Sequence, residues 1–255
     1  MRIGWIDYLN TLPFNFEKTG IGLDFRYSLV KGVPSTINRL LSEGSVDVGF
    51  ISSAHYLENW KDYLILPDLS ISSLNRVQSV IILSDRPIES IDKIYLTGDS
   101  KTSRYLTKII FELFLKTPPE YKELEDLHAL EEKEAVLLIG DSAIKYSSAK
   151  KYSYDLSSIW YRETGLPFVF ALWCVRKEYY KKFPERVKSL HKTLKLSKNR
   201  FFENINSAGL SEDKIQYLKN LDYCLSSEHL KSLELFSEYL MKIGILRQKP
   251  EFNFI

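Results

Sequence analysis

The sequence predicts an α/β fold of two lobes, in which each lobe has a mostly parallel sheet flanked by helices. Three observations lead to this fold class. Short apolar segments alternate with amphipathic segments from residue 1 to about residue 175, as in repeated strand–helix units. The stretch from Ile94 to about Leu166 contains a complete set of such units. Beyond Arg176 the pattern is helical, and we expect these C-terminal helices to pack on the first lobe.

The first part of the chain alternates strands with one well-punctuated helix. Three segments have strand character: Arg2–Ile6, Asp24–Leu29 and Val46–Ile51. Pro34 and Gly44 bracket the helix between the second and third strands, because proline suits a first helical turn and glycine the position past the last turn. Ser52 and Ser53 follow the third strand as candidate caps of a helix that runs to about Trp60.

The middle of the chain repeats this pattern. Four segments have strand character: Val77–Ser84, Ile94–Thr97, Ala135–Ile139 and Phe168–Val175. An amphipathic helix follows the second of these and continues to about Leu115, and Pro118 and Pro119 stop it. Further helices begin near Gly140 and Asp155.

These elements predict where the lobes begin and end. The chain crosses near Ser84–Pro87 and again near Phe170–Trp173, which gives a first lobe of residues 1–84 and 173–255 and a second lobe of residues 85–172. Ligands of such folds bind beyond the carboxyl ends of the strands, where helices begin. We therefore expect a substrate cleft between the lobes.

Small polar residues gather at those predicted strand ends. They are Asn10 with Thr11, Gly32, Ser52 with Ser53, Thr102 with Ser103, and Gly140 with Asp141. A serine or threonine at one such place is an ordinary helix cap. Five equivalent places instead favour a cleft rich in neutral hydrogen-bond donors, which suits a small anion such as a carboxylate.

Composition and motifs exclude several functional classes. A net charge of +2 does not predict a nucleic-acid partner, and no apolar run approaches the roughly 20 residues that cross a membrane. The two cysteines form no CxxC, and His55, His128, His191 and His229 show no metal-ligand spacing. From this spacing we expect no metal site. The N-terminus lacks the features of a signal peptide, so we also expect a cytoplasmic protein.

Several motifs, in order and at matching spacing, carry a family resemblance. They are YLNTLPF at Tyr8–Phe14, GVPSTINRLLSEGSVDVGFISSAHY at Gly32–Tyr56, LPDLSISS at Leu66–Ser73, VQSVIILS at Val77–Ser84, LLIGDSAI at Leu137–Ile144 and TGLPFVFALW at Thr164–Trp173. Together they resemble the chorismate dehydratase family of the futalosine route to menaquinone. The family's loop before the second-lobe helix is closer to TSESATS, whereas here it is TGDSKTS at Thr97–Ser103. Thr102 and Ser103 are kept, and Asp99 and Lys101 add charges.

The resemblance implies a fold, a reaction and a set of residues. The fold is that of type 2 periplasmic binding proteins, and the reaction, a hydro-lyase step, converts chorismate to 3-[(1-carboxyvinyl)oxy]benzoate and water. No metal or organic cofactor is implied, and the protein would be a monomer or a homodimer. The implied catalytic residues are Asn10 and Ser79. The residues predicted to bind substrate are Gly32, Ser52, Ser53, Thr102, Ser103, Gly140, Asp141 and Phe168.

Each of these residues also has a plain structural explanation. Asn10 would bond its own turn, Ser79 would be a small residue in a packed strand, and Phe168 would be core. Asp7, Asp141 and His55 are the candidate bases, but Asp141 suits a helix cap and His55 lies inside a helix. We therefore favour a substrate-assisted elimination in which the enolpyruvyl carboxylate takes the proton. The alternative is a non-catalytic cytoplasmic protein that binds or senses a small carboxylate.

Overall fold

The computed structural model describes residues 1–126, 130 and 132–255, so His128 lies outside the described residues. The chain divides into two units. The first unit comprises Met1–Ile71, Ala171–Leu225 and Glu251–Ile255, and the second comprises Ser72–Phe170 and Ser226–Pro250.

The strands and helices follow one another in the predicted α/β manner. The strands are β1 (Arg2–Trp5), β2 (Ser28–Lys31), β3 (Val48–Ser52), β4 (Tyr63–Ser73), β5 (Val80–Ser84), β6 (Lys93–Thr97), β7 (Glu120–Leu124), β8 (Ala135–Ile139), β9 (Tyr152–Asp155) and β10 (Phe168–Arg176). The α-helices are α1 (Pro34–Ser42), α2 (Ser53–Glu58), α3 (Lys101–Ile109), α4 (Gly140–Lys145), α5 (Leu156–Thr164), α6 (Lys177–Lys182), α7 (Pro184–Glu203), α8 (Glu212–Asn220) and α9 (Ser227–Lys242). Leu9–Phe14 forms a 3-10 helix, and Ile110–Leu115 continues α3 as a π-helix.

The sheet of the first unit has the strand order β2-β1-β3-β10-β4. β1 is parallel to both β2 and β3, whereas β10 runs antiparallel to β3. Close packing of α1 on this sheet depends on Gly4, because a Cβ there would lie 2.7 Å from Cγ2 of Ile37. The three parallel strands therefore end at one edge, directly beside the start of α1.

The sheet of the second unit has the strand order β7-β6-β8-β5-β9. β6 is parallel to β7 and β8, whereas β5 is antiparallel to β8 and β9. A cluster on this sheet includes Ile81, Leu83, Val136 and Leu138, all of them buried. Both sheets thus combine parallel with antiparallel pairs. The expected parallel pairing is found between β1 and its neighbours β2 and β3, and between β6 and its neighbours β7 and β8.

The helical tail is shared between the units. α7 packs on the Leu9–Phe14 helix, where Ser197 Oγ donates to the Pro13 carbonyl at 3.0 Å, so α7 packs in the first unit as expected. α9 instead belongs to the second unit. Its Ser232 Oγ accepts a 3.1 Å hydrogen bond from Trp160 Nε1, and its Phe236 packs edge-on against the same indole. These buried contacts pack α9 against α5 within the second unit.

The unit boundaries also differ from the predicted lobes. The chain passes between units at residues 71/72 and 170/171, and the tail crosses again at 225/226 and 250/251. Residues 72–84 therefore group with the second unit. Among the helices of the described ranges, none has both the length and the hydrophobicity of a membrane span.

Candidate functional site

One group of predicted residues lies at one edge of the first unit's sheet. Asn10 follows β1, Gly32 follows β2, and Ser52 and Ser53 end β3 and begin α2. Because these three strands are parallel neighbours, their carboxyl ends meet at one edge. We call these four residues the first-sheet edge.

Asn10 lies in the 3-10 helix Leu9–Phe14, which its neighbour Thr11 fixes in place. Thr11 Oγ1 donates to the carbonyls of Ile6 and Tyr8 at 2.6 and 2.8 Å, which pins the short helix against the end of β1. Oδ1 of Asn10 is buried and has no hydrogen-bond partner among the described residues. A buried acceptor without a donor is costly, and a ligand that brings a donor would satisfy it.

Ser52 is held by a residue that the sequence analysis did not single out. Asn38, on α1, donates from Nδ2 to Ser52 Oγ at 2.9 Å, and its Oδ1 accepts from the Ser52 amide at 3.1 Å. Both side chains are buried. The available signal was an amide three residues before Leu41 on the apolar face of α1, where a polar side chain needs a buried partner.

Gly32 and Ser53 complete this edge. The Gly32 amide donates to the Trp5 carbonyl at 3.0 Å and so extends the β1–β2 pairing beyond the strands. A Cβ at Gly32 would come within 2.9 Å of Thr36 Cγ2, so glycine leaves room for the first turn of α1. Ser53 is fully buried in the first turn of α2, and Ser52 occupies the N-cap position without a side-chain capping bond.

A second group of predicted residues meets at one edge of the second unit's sheet. Ser79 immediately precedes β5, so the prediction that it lies within the strand is wrong. Its carbonyl accepts from the Gly140 amide at 2.7 Å. Because β6 and β8 are parallel, the start of α3, which carries Thr102 and Ser103, lies at the same edge of the sheet as Gly140. We call Ser79, Thr102, Ser103, Gly140 and Asp141 the second-sheet edge.

The α3 start is a tightly bonded cap. Ser100 Oγ accepts from the Ser103 amide at 3.3 Å and from the Ser103 hydroxyl at 3.0 Å. Thr102 and Ser103 are both buried. Ser103 Oγ is therefore engaged within the cap.

Asp141 and Phe168, two predicted substrate-binding residues, have different environments: Asp141 is exposed, and Phe168 is buried among other aromatic side chains. Asp141 is exposed in the first turn of α4, and the N-cap is Ile139, so the expectation that Asp141 caps this helix is wrong. Phe168 is only 1% exposed and packs edge-on against Trp160, Phe170 and Phe236. This is the packing of a core aromatic residue.

The remaining candidate bases are occupied by other interactions. His55 is buried, and its Nε2 lies 3.1 Å from Ser42 Oγ and 3.2 Å from the Tyr63 hydroxyl. Burial raises the pKa of Tyr63, while the hydrogen bond with Ser42 opposes that rise. Asp7 is exposed and forms a 3.0 Å ion pair with Lys31. Within the described ranges, no group of three or more His, Cys, Asp or Glu residues could hold a metal ion.

The architecture defines the class of fold. The chain is similar to the solved periplasmic aliphatic sulphonate-binding protein SsuA from Escherichia coli, with a TM-score of 0.67 and 12% identity over 98% of this chain and 94% of that one. At this identity the likeness concerns the fold alone, which is that of periplasmic binding proteins. A family model described as menaquinone biosynthesis matches residues 1–242, and the chain belongs to this family.

Two curated relatives refine this placement. The chorismate dehydratase of Thermus thermophilus is 34% identical over 170 residues, which are 60% of this chain and 62% of that protein. The chorismate dehydratase of Campylobacter jejuni is 31% identical over 198 residues, which are 72% of this chain and 74% of that protein. The first match thus spans less than two thirds of the relative. The family resemblance seen in the sequence motifs is confirmed.

Proposed function

We propose that this protein is a chorismate dehydratase, a hydro-lyase that forms 3-[(1-carboxyvinyl)oxy]benzoate and water in menaquinone biosynthesis. The observation that supports it most is the buried, unpartnered Oδ1 of Asn10 at a strand end, in a chain of this family. A hydroxyl can donate to that oxygen, whereas an ionised carboxylate cannot. Of the polar groups of chorismate, the C4 hydroxyl is therefore the one that suits Asn10.

The remaining polar groups of chorismate suit neutral hydrogen-bond donors. Donors at Ser52 and Ser53 on the first-sheet edge would bind one carboxylate of chorismate, and the amides at the start of α3 near Thr102 are a second group of donors that suits a carboxylate. Preorganised neutral donors stabilise negative charge as it develops on the ring carboxylate when the C3 proton leaves. Ser79 donates to the departing C4 oxygen.

The proposed elimination uses the substrate as its own base. The C3–H bond breaks and its proton passes to the enolpyruvyl carboxylate, the C4–O bond breaks, and the ring becomes aromatic. Proton and hydroxide leave as water, so no electron acceptor is required. This assignment is supported by the engagement of His55 with Ser42 and Tyr63 and by the exposure of Asp7 and Asp141. The enzyme's contribution is then largely positioning.

Incubation of the purified protein with chorismate, without added metal, tests the reaction. Chromatography with mass detection should show a product that is lighter by one water and matches the enolpyruvyl benzoate. Tight chorismate binding without turnover would favour the alternative, a non-catalytic protein that binds or senses a small carboxylate. Neither binding nor turnover would reject chorismate as the ligand.

Variants of Asn10 test its role. Asn10→Ala removes a buried acceptor that has no partner among the described residues, so the melting temperature should be unchanged or higher. We expect kcat to fall about 100-fold, because the C4 hydroxyl loses the acceptor that positions it. Asn15→Ala is the matched control, since that amide lies in the same segment and accepts from the Lys18 amide at 3.0 Å. Full activity of Asn10→Ala would remove this residue from the mechanism. If Asp141→Asn and His55→Ala each abolished turnover with folding and binding intact, the substrate would not be the base.

A further inference from the structure

The residue before Ser79 has an unusual backbone conformation. Gln78 has a φ of +62°, and the Ser79 amide donates to the Val77 carbonyl at 2.7 Å. A three-residue turn with positive φ at its centre is rare and strained for a residue that has a Cβ. Ser79 follows this turn and leads directly into β5, so the turn fixes the direction in which Ser79 leaves the loop.

One carboxylate holds the turn. Asp155 Oδ2 accepts from the Gln78 amide at 2.7 Å, and Oδ1 accepts from the Val77 amide at 3.2 Å. Oδ1 also accepts from the Ser158 amide at 3.1 Å, which makes Asp155 the N-cap of α5. The Asp155 side chain therefore connects the first turn of α5 to the backbone N–H groups of Val77 and Gln78, the two residues before Ser79.

The start of α5 also holds the segment before the turn. Ser157 Oγ donates to the Ser73 carbonyl and Ser158 Oγ donates to the Asn75 carbonyl, both at 3.2 Å. Burial raises the pKa of Asp155, and the amides of Gln78, Ser158 and Val77 oppose that rise. The oxygens that accept these three N–H groups are thus committed to the protein backbone.

We propose that Asp155 is a positioning residue for Ser79. It stabilises the left-handed turn at Gln78 and thereby sets the direction of the Ser79 hydroxyl. The inference rests on the proposed function, in which Ser79 acts on chorismate. Asp155 is outside the set of residues predicted from the sequence, and it acts through the backbone without touching the substrate.

Asp155→Asn separates this role from helix capping. Asparagine caps helices as well as aspartate does, so the bond to the Ser158 amide is kept. An amide has one acceptor oxygen, however, and its NH₂ group would then face the Gln78 N–H. We expect kcat to fall about 10- to 100-fold because Ser79 shifts, with KM for chorismate changed less than about threefold. A kcat within about twofold of the parent would overturn the proposal.

Gln78→Gly provides the rescue. Glycine adopts a φ of +62° without strain, so the turn no longer depends on the carboxylate. In the Asp155→Asn background, Gln78→Gly should restore kcat to within about threefold of the parent. A defect of the α5 cap alone would not be repaired by glycine at position 78, so failure of the rescue would overturn the proposal.

Amide exchange reports on the turn independently of chorismate. In Asp155→Asn the Gln78 amide should exchange at least about tenfold faster, while the Ile82 amide in the centre of β5 should not change. Unaltered exchange at Gln78 would overturn the proposal even if activity fell. If the parent protein does not dehydrate chorismate, the proposed function fails, and the exchange rates still decide whether Asp155 holds the turn.

Asp47→Asn is the matched control. Asp47 is also a buried carboxylate that accepts a backbone N–H bond, from the Arg2 amide at 2.7 Å, but it precedes β3 at the strand end opposite to Ser52. The Asp47→Asn variant should have a lower melting temperature, while its kcat stays within about twofold of the parent value. A kcat loss equal to that of Asp155→Asn would show that any buried carboxylate has this effect, which would overturn the specific role of Asp155.

Discussion

Replacing Asn38 with alanine should both destabilise the first unit and weaken substrate binding. The change removes two buried hydrogen bonds, from Asn38 Nδ2 to Ser52 Oγ and from the Ser52 amide to Asn38 Oδ1. The Ser52 hydroxyl loses a partner, at about 1 kcal/mol, and the buried Ser52 amide is left unsatisfied, at about 1–3 kcal/mol. The sum is a loss of about 2–4 kcal/mol in the free energy of unfolding.

Two measurements follow from that magnitude. With a urea m-value of about 2–3 kcal/mol per M, the unfolding midpoint should fall by about 1 M. The Ser52 amide should exchange roughly 30-fold faster or more, since each 1.4 kcal/mol corresponds to about tenfold. Because Ser52 is proposed to bind a carboxylate, KM for chorismate should rise at least about tenfold, with a smaller change in kcat.

Arg39→Ala is the control on the same helix. Arg39 is largely exposed and pairs with Glu43 one turn away, so its loss should cost less than about 0.5 kcal/mol and leave KM unchanged. If Asn38→Ala shifted the midpoint by no more than this control, and if exchange at Ser52 were unaltered, the reasoning about the Asn38–Ser52 pair would be refuted.

Two further predictions concern the packing and the titration of the first unit. Gly4→Ala should lower the free energy of unfolding by about 1–3 kcal/mol, because the added Cβ would lie 2.7 Å from Ile37 Cγ2. Gly22→Ala is the control, since no atom lies within 4 Å of its added Cβ, and it should change the urea midpoint little. Equal shifts of the midpoint in the two variants would contradict this reasoning. Burial lowers the pKa of His191, whose Nε2 lies 2.8 Å from the Pro67 carbonyl, so the unfolded chain takes up the proton first as pH falls below about 6.5. Stability should therefore be lost as pH falls through the folded pKa, and His191→Gln should flatten that decline in melting temperature; an unchanged slope would exclude His191 as its source.

The strands that the sequence predicts most clearly are buried on both faces. β3, β5 and β8 are mainly apolar with every residue buried, and such segments can be recognised as strands from their own sequence. α1 could be recognised from the proline at its start and the glycine after its end. In these segments local pattern and tertiary environment agree.

Three strands are missing from the sequence prediction, namely β4, β7 and β9, and all three lie at sheet edges. β4 is mostly buried, so burial alone did not make it predictable. β7 has the sequence EYKEL and is largely exposed, and β9 has the sequence YSYD and is mostly half-buried. Edge strands commonly carry charges that prevent further pairing, so they lack the apolar signature of a central strand. β7 is a strand because it pairs with β6, and the residues of β7 alone carry no signal for this long-range pairing.

The candidate site divides in the same way. Small donors at strand ends could be predicted because parallel strands bring their carboxyl ends to one edge. The partners of Asn38 and Asp155 could not be predicted, since each acts on a predicted residue or on its neighbour through a hydrogen bond across the fold. The sequence shows the groups that would meet a ligand, and the tertiary structure shows what holds them.

The carboxylates near the two edges also bear on the identity of the base. A general base needs a free lone pair directed at the C3 proton. Asp155 accepts three backbone N–H bonds, and Asp7 is paired with Lys31 at the surface. A carboxylate carried by the substrate needs no such lone pair from the protein, since binding alone brings it to the C3 proton. An analogue of chorismate with an amide in place of the enolpyruvyl carboxylate should therefore bind without eliminating water. Turnover of that analogue at the parent rate would assign the proton to a protein group.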